Sequence, residues 1–424
     1  MKIAIIGSGI SGLTAAYLLH KDHDVRVFES ADRIGGHTAT KSVQDGKNQL
    51  NVDTGFIVFN DRTYPNFIRL MNQLGVESQP TRMSFSVRHL ISGLEYSGSN
   101  LDSLFCQRRN IFRPSFIKMV FDILRFNKTS IAELDLDQIP ADLPLGKYLS
   151  KKGYGKELRD LYLIPMGSAI WSQSEQEMLH MPALFFIRFF KNHGLLSIKN
   201  RPQWRTIIGG SKCYLEPLTQ GFSDKIIVNC QIEQVVRDAS AVTIQFKDRL
   251  DSQEQIQQET FDQVIFACHS NQALRLLKDP TETEAEILGA IPYQSNDVVL
   301  HTDQTLLPKN KKAWSAWNYQ ISDQHDHLPI LSYNMNMLQK LNSNKTFVVT
   351  LNATDKIDPD KILGRYTYAH PQFNEQSVLA QNRWKEINGP NRTWFCGAYW
   401  ANGFHEDGCA SGIRVAKGLG ASWS

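Results

Sequence analysis

Residues 1–30 read MKIAIIGSGISGLTAAYLLHKDHDVRVFES, and this stretch decides the fold of the nucleotide-binding part of the chain. A continuous apolar run predicts a short strand over 3–6, and the residues that follow predict a helix over 13–20 and a second strand over 25–28. A G-x-G-x-x-G turn, residues 7–12, lies between the first strand and the helix, and the second strand ends at Glu29. This order of strand, glycine turn, helix, strand and acid is the fingerprint of a dinucleotide-binding βαβ unit.

Each residue type in this turn has a physical role. Gly7 allows the tight turn, Gly9 lets the backbone approach a pyrophosphate, and Gly12 lets the helix pack close to the strand. The helix N-terminus offers free N–H groups and a positive dipole end to the phosphates. Glu29 can accept hydrogen bonds from ribose hydroxyls. We do not expect a secretory signal here, because glycines and serines interrupt the apolar run.

The composition excludes several classes of protein. The 424 residues are enough for two domains, and the net charge of +3 predicts no nucleic-acid partner. No apolar run reaches the roughly 18 residues that a membrane-spanning helix needs. The chain has no C-x-x-C pair, which favours a reducing, cytoplasmic location over a disulfide framework. The segment His325-Asp326-His327 lacks a third ligand at a suitable spacing, so we expect a solvated loop there and no metal site.

The rest of the chain alternates between two kinds of pattern, and we expect its domains to be discontinuous. Strand-like runs with glycine turns, typical of the nucleotide-binding part, occupy 1–80, 200–290 and 385–424. A second, substrate domain would use 81–199 and 291–384, where four strand-like segments lie between 295 and 353. The polar stretch 249–260 is expected to be one exposed hairpin or loop. The predicted fold class is α/β, a Rossmann-like domain interleaved with an α+β substrate domain built on an antiparallel sheet.

Two terminal motifs resemble a known superfamily. GSGISG with Glu29, the following RIGGHT at 33–38, and FCGAYWANGFHEDGCASG at 395–412 are similar to the FAD motifs of flavin-containing amine oxidases and phytoene desaturases. More narrowly, PMGSAIWS at 165–172 and WRTIIGGSKCYLEPL at 204–218 resemble a branch of FAD-dependent oxidoreductases. That branch is related to the N-terminal part of plant cyclopropane-fatty-acid synthases.

The resemblance implies a non-covalently bound FAD. Its adenosine would lie near Glu29 and Val235, its pyrophosphate at 7–12, and its flavin at the start of a helix near 406–408, where a positive helix end stabilises negative charge. We do not expect Cys396 and Cys409 to attach the flavin covalently, because such thiols are more often buried small apolar groups. The expected cofactor-binding residues are Gly7, Gly9, Ile10, Ser11, Gly12, Glu29, Arg33, Gly36, His37, Thr38, Gly55, Val235, Gly397, Glu406, Asp407 and Gly408.

His405 is the candidate catalytic residue, because it precedes the helix start beside the expected flavin. It could orient a substrate or move a proton, and a structural role in the glycine-rich turn is an equal alternative. Amine oxidases of the superfamily often carry an acid or threonine after the glycine that corresponds to Gly397, and this chain has Ala398 there. A polar contact to the ribityl chain is therefore either missing or supplied elsewhere.

Two apolar segments with interleaved basic residues, 113–126 and 183–198, allow two interpretations. They could contact a membrane surface or an acyl chain, or they could be a domain-packing face with solvated charges. The first interpretation would place the protein at the inner face of a membrane, as a peripheral protein of lipid metabolism.

Three functions remain open from the sequence. The leading hypothesis is hydride abstraction by FAD from a hydrophobic substrate, such as an unsaturated or methylated fatty-acyl chain of a lipid. The second is oxidation of an amine or amino acid. The third is a non-catalytic flavoprotein that supports a lipid-modifying partner enzyme.

Overall fold

A computed structural model describes residues 1–197, 199–251, 255–322 and 328–423. The segment His325-Asp326-His327, which we expect to be a solvated loop, lies outside the described residues.

The strands are β1 (Lys2–Ile6), β2 (Asp24–Phe28), β3 (Thr40–Asp45), β4 (Asn48–Asp53), β5 (Phe59–Asn60), β6 (Ser78–Pro80), β7 (Phe85–His89), β8 (Leu94–Ser97), β9 (Trp204–Ile207), β10 (Ile226–Ile227), β11 (Cys230–Arg237), β12 (Val242–Asp248), β13 (Gln257–Phe261), β14 (Gln263–Phe266), β15 (Tyr293–His301), β16 (Trp317–Ile321), β17 (Ile330–Asn334), β18 (Val348–Leu351), β19 (Ile362–Pro371) and β20 (Thr393–Phe395). The helices are α1 (Ile10–Leu19), α2 (Pro65–Gln73), α3 (Leu101–Leu104), α4 (Pro114–Asp135), α5 (Leu145–Lys151), α6 (Lys156–Leu158), α7 (Ile164–Trp171), α8 (Glu175–His180), α9 (Ala183–Asn192), α10 (Leu215–Thr219), α11 (Ser270–Leu276), α12 (Glu282–Gly289), α13 (Met335–Gln339), α14 (Glu375–Asn382), α15 (Trp384–Ile387) and α16 (His405–Gly418).

A parallel sheet forms the centre of the nucleotide-binding part. In the described chain its strand order is β10-β2-β1-β14-β20, and every neighbouring pair is parallel. β1 is central and apolar on both faces, because α1 and α16 cover one face while β11 and β12 cover the other. The carboxyl ends of β1, β2, β14 and β20 therefore meet at one edge, the place where such sheets bind ligands.

The second large sheet is mixed. Within the described residues its strand order is β19-β15-β18-β17-β16-β7-β8, and all its pairs are antiparallel except β16 with β7. The predicted antiparallel sheet is thus confirmed with one parallel pair, which arises because β7 comes from a distant part of the chain. All four strands predicted between 295 and 353 are present as β15 to β18.

The long strand β19 was not predicted. It pairs with β15 along nearly its full length at the edge of the mixed sheet. Its sequence ILGRYTYAHP contains a glycine, an arginine and a proline, which weaken a strand signal. Residues at alternate positions face the same side, and this period of two was the signal available in the sequence.

The two large sheets take their strands from different parts of the chain. The parallel strands come from 1–80, 200–290 and 385–424, and the mixed sheet comes from 81–199 and 291–384. The domain boundaries themselves stay a prediction. Ala380 of α14 packs in the same core as β14, although our boundary at 384 assigned it to the substrate domain. In the polar stretch 249–260, residues 257–260 belong to β13, which pairs with β12.

Candidate functional site

Two helices begin close together at the carboxyl edge of the parallel sheet. α1 starts after Gly9 and α16 starts after Phe404, and neither of these residues caps its helix through a side-chain hydrogen bond. A β-carbon at Gly412 would lie 2.3 Å from the Ser11 carbonyl oxygen, so glycine is what allows α16 to pack onto α1. The pair of uncapped helix starts leaves N–H groups available to an anionic ligand.

The glycine turn after β1 combines two tightly packed glycines with one that borders open space. Gly7 has φ +108°, and a β-carbon there would lie 2.8 Å from the Ala267 carbonyl oxygen. A β-carbon at Gly12 would lie 2.1 Å from the Gly7 carbonyl oxygen. At Gly9, by contrast, it would meet no atom within 4 Å. Gly7 and Gly12 are therefore glycines for packing, while Gly9 borders open space and fits the close approach of a phosphate group.

Glu29 lies at the end of β2 beside this turn. One carboxylate oxygen accepts the Ser8 N–H at 3.0 Å and the other accepts the Ala31 N–H at 2.9 Å. Val235, expected near the adenosine, is fully buried in β11, and its carbonyl accepts the Lys278 N–H at 3.0 Å. Both oxygens of Glu29 thus accept backbone N–H groups of the protein, and the contact of Glu29 with a ribose stays a prediction.

The RIGGHT segment forms a loop over the glycine turn. A β-carbon at Gly36 would lie 3.2 Å from Gly9 Cα, so the two backbones are in contact. Arg33 donates to the carbonyls of Thr38 at 3.0 Å and Gly36 at 2.9 Å, and its guanidinium thereby fixes the loop. Gly55 is equally constrained, because a β-carbon there would lie 2.1 Å from the His37 carbonyl oxygen.

His405 is buried at the first turn of α16. Its Nε2 lies 2.9 Å from the Tyr214 hydroxyl and 3.2 Å from Thr38 Oγ1, and its ring stacks on Phe56 at 3.6 Å. Burial lowers its pKa well below the usual range, so the ring is neutral at physiological pH. These contacts tie the start of α16 to the loop over Gly9, which is a positioning geometry. The sequence did not point to Tyr214 or Phe56 as partners, although Tyr214 lies in the motif at 204–218 and Phe56 follows Gly55.

The two acids at the start of α16 bind protein donors. Glu406 accepts the backbone N–H groups of Asn66 at 3.1 Å and Phe67 at 2.8 Å, so it caps α2. Asp407 accepts the N–H groups of Asn402 at 3.2 Å and Phe404 at 2.9 Å, and burial raises its pKa to about 7. Burial also raises the pKa of Glu406. Since both side chains bind protein N–H groups and hold the helix in place, the groups of α16 that could contact a flavin are its backbone N–H groups.

The rest of the C-terminal motif packs tightly. Gly397 donates its N–H to Ser411 Oγ at 3.1 Å, and a β-carbon at Gly408 would lie 2.8 Å from Ile10 Cγ2. Cys396 and Cys409 are fully buried, and burial raises the pKa of both thiols well above the usual range. Two protonated, buried thiols agree with the prediction of a non-covalent cofactor.

A cluster of three histidines adjoins the loop over Gly9. The His37 ring centroid lies 6.3 Å from that of His269 and 5.7 Å from that of His370. Burial lowers the pKa of His37 and His269 to about 4 and that of His370 to about 3, so all three are neutral at pH 7. His37 Nε2 is buried without a hydrogen-bond partner among the described residues. The sequence pointed to His37 only, because His370 lies on the unpredicted strand β19.

Aromatic side chains of the substrate part reach the start of α16. The ring centroids of Phe404 and Phe189 lie 5.2 Å apart, and those of Phe189 and Trp171 lie 4.8 Å apart. The indole of Trp171 donates to the Asn402 carbonyl at 3.2 Å, and Phe185 faces Phe373 at 5.3 Å. We call Trp171, Phe185, Phe189, Phe373 and Phe404 the aromatic cluster. It connects the core of the helical part of the substrate domain to the expected flavin position.

Two features are absent from the described ranges of the chain, namely a cluster of metal ligands and a membrane-spanning helix. No group of three or more histidine, cysteine, aspartate or glutamate side chains in them could hold a metal ion. Likewise, no helix in them combines the length and the apolar character needed to cross a membrane.

The sequence of this chain is similar to those of known flavin-containing proteins. The family profile described as flavin containing amine oxidoreductase matches residues 10–350. Flavin-containing amine oxidase A of Sus scrofa is 24% identical over 264 residues, which cover 58% of this chain and 46% of that protein. The chain thus spans about half the length of the curated relatives it matches.

Solved structures resemble the whole chain in fold. Cyclohexylamine oxidase from Brevibacterium oxydans is 15% identical, with a TM-score of 0.69 and 99% of both chains covered. The CLA-producing fatty acid isomerase from P. acnes is also 15% identical, with a TM-score of 0.70 over 99% of this chain and 98% of that one. The TM-scores support the same fold, and the low identities leave the substrate open.

The match of the family profile to most of the chain confirms the predicted superfamily, the oxidoreductase class and the FAD cofactor. The narrower relation to cyclopropane-fatty-acid synthases stays a prediction. Because this profile covers residues 10–350, the chain belongs to the flavin-containing amine oxidoreductase family.

Proposed function

We propose that this FAD-dependent oxidoreductase removes hydride from an uncharged hydrophobic substrate, namely an unsaturated or methylated fatty-acyl chain of a lipid. The observation that carries the proposal is the aromatic cluster, which ends at Phe404, the residue before α16. Phe185 and Phe404 are only partly buried, so apolar surface remains beside the start of that helix. Such a surface suits an acyl chain better than a hydrated cation.

The carboxylates of the site support an uncharged substrate. Asp53, at the end of β4, accepts the Ser211 N–H at 2.9 Å and the Gln339 amide at 2.8 Å. Glu406 and Asp407 are engaged by backbone N–H groups. Because burial raises the pKa of Asp53 to about 6 and that of Asp407 to about 7, these acids carry less negative charge than free carboxylates. The carboxylates that could pair with a substrate ammonium group already accept hydrogen bonds from the protein.

In this proposal, the chain's own residues bind and orient the cofactor, and the cofactor supplies the reactive group. The N–H groups at the start of α1 would bind the pyrophosphate beside Gly9, and Glu29 would accept the ribose hydroxyls. When bound, FAD supplies the hydride acceptor. The start of α16 would stabilise negative charge in the site through its backbone dipoles, and His405 holds that helix against the loop at Thr38.

Amine oxidation is the second candidate function, and the curated relatives favour it. It predicts that small amines reduce the flavin and that hydrogen peroxide is released in air. A supporting role beside a lipid-modifying enzyme is the third hypothesis. It predicts a bound flavin that neither lipids nor amines reduce.

An anaerobic absorbance experiment separates these functions. The flavin spectrum of the purified protein is recorded before and after adding a total phospholipid extract, and separately after adding cyclohexylamine. Bleaching by lipid alone supports the proposal, whereas bleaching by the amine alone replaces it with amine oxidation. A spectrum unchanged by both contradicts both catalytic functions.

A glycine variant tests the cofactor site independently. Gly9→Val should abolish FAD retention, because its side chain would enter the space assigned to the pyrophosphate, while no atom of the protein lies within 4 Å of the added β-carbon. Gly98→Val is the matched control, since a β-carbon there also meets nothing within 4 Å and the residue is exposed far from the motif. The ratio of flavin to protein absorbance after desalting measures both. Equal ratios in the two variants would show that the pyrophosphate lies elsewhere.

A further inference from the structure

Four large apolar side chains are exposed on α4 and in the turn that precedes it. Phe121 is 66% exposed and Leu124 is 45% exposed, and both lie on the outer face of the helix. In the turn just before the helix, Phe112 is 86% exposed and Ile111 is 46% exposed. Leaving two phenyl rings and two aliphatic side chains in water is costly, so the exposure calls for a ligand or a surface.

Basic residues surround these apolar side chains. Arg125 and Lys128 lie four and seven residues after Phe121, which places all three on one side of the helix. Arg109 and Arg113 flank Ile111 and Phe112. Between 106 and 132 the chain has six basic residues and one acid, Asp122, whose side chain is mostly buried and bonded to Lys118 and Arg125. We call Arg109, Ile111, Phe112, Arg113, Phe121, Leu124 and Lys128 the basic-aromatic face.

We propose that the basic-aromatic face docks this protein onto an anionic lipid bilayer. Phenyl rings and aliphatic side chains would enter the boundary between headgroups and acyl chains, while arginine and lysine meet the phosphates. α4 has 22 residues and is roughly 33 Å long, so it offers an extended contact when it lies flat on a surface. Its inner face, with Phe116, Met119 and Phe126, is buried in the protein and fixes the helix in that orientation.

The charge distribution argues against a protein partner of the same kind. A second copy docked through this face would bring Lys128 and the arginines against their equivalents, which is repulsive. Protein interfaces are also depleted in lysine at their centres, whereas here Lys128 stands seven residues from Phe121 on the same side. Anionic headgroups complement both the charge and the spacing. This inference does not depend on the substrate proposed above.

Vesicle co-sedimentation of the FAD-loaded protein tests the proposal. We expect binding to vesicles of phosphatidylcholine mixed with phosphatidylglycerol, little binding to phosphatidylcholine alone, and release at high salt. Phe121→Ser should lower the affinity about tenfold or more, and Lys128→Glu should lower it comparably. Leu379→Ser is the control, because Leu379 is 57% exposed on α14 and lies outside the face.

Flavin absorbance and the unfolding temperature establish that each variant is folded before it is compared. Absence of binding to the anionic vesicles, or equal binding to both kinds of vesicle, would overturn the proposal. So would unchanged binding of both Phe121→Ser and Lys128→Glu, or a dimer in solution that Phe121→Ser dissociates. Because none of these readouts involves turnover, they are independent of the substrate experiment.

Discussion

Helices α4 and α9 have similar compositions, but they differ in how far their phenylalanines are exposed. Both carry phenylalanine, aliphatic and basic residues at short spacing, and from the sequence both allowed the same two interpretations. In the structure, Phe186, Phe189 and Phe190 of α9 are buried in the core that includes Trp171, whereas Phe121 of α4 faces solvent. Amphipathic composition alone therefore does not distinguish a packing face from a docking face, because what covers the helix is decided by distant segments.

The largest expected effect concerns the buried helix. Phe186→Ala should destabilise the protein by about 3–5 kcal/mol, because it removes a fully buried ring stacked on Phe190 at 3.9 Å and leaves a cavity. Urea unfolding measures the change. Vesicle binding of the folded variant should equal that of the wild type, and a loss of binding would place α9 rather than α4 at the membrane.

The end of α9 should also make stability depend on pH. His193 is buried and stacks on Phe189, and burial lowers its pKa to about 4 from the ordinary 6.5. Because the folded-state pKa is depressed, its stabilising contribution is complete above pH 6.5 and is lost as the pH falls toward 4. Relative to His193→Gln, the wild type should lose about 2 kcal/mol between pH 7 and pH 5.

Urea unfolding of the wild type and His193→Gln at the two pH values provides this measurement. A constant difference between the two proteins would mean that the His193 ring is accessible to protons in the folded state. α4 has no histidine, so Lys128→Gln serves as the matched control and should show no such pH dependence.

Replacing Asp122 of α4 should have a smaller effect on stability and a second effect on vesicle binding. Asp122 accepts Lys118 Nζ at 2.5 Å and the Arg125 guanidinium at 3.0 Å. Asp122→Asn should destabilise the protein by about 1–3 kcal/mol through loss of charge-assisted hydrogen bonds. It should also strengthen binding to anionic vesicles, because it removes one negative charge from the helix. Weaker binding of the folded variant would show that Asp122 positions the docking residues instead.

The smallest effect on stability belongs to the exposed helix face. Phe121→Ala should change the free energy of unfolding by less than about 0.5 kcal/mol, because the ring makes few contacts that water does not replace. Phe186→Ala should lower the free energy of unfolding several times more than Phe121→Ala does, although both replace a helical phenylalanine by alanine. A large destabilisation by Phe121→Ala would mean that the ring packs against the protein, and the docking proposal would lose its basis.

The site shows the same division between local and distant determinants. The sequence predicted the glycine turn, Glu29 and the RIGGHT loop, and the structure brings Gly9 and Gly36 into contact as a shared cofactor site requires. Their roles in binding FAD stay a prediction until Gly9→Val is measured. The sequence did not predict that Glu406 caps α2 or that Tyr214 holds His405, because these contacts join residues far apart in the chain.

By itself, the sequence determined the βαβ unit with β1, α1 and β2, and it indicated the family, because these depend on local periodicity and on glycines whose roles are fixed by backbone sterics. Only the tertiary structure decided which phenylalanines of α4 and α9 are buried and where β19 lies. It also decided that His269 and His370 lie beside His37. The physical reason is that burial and pKa depend on everything packed around a side chain. That information is spread over the whole chain and is absent from any single segment.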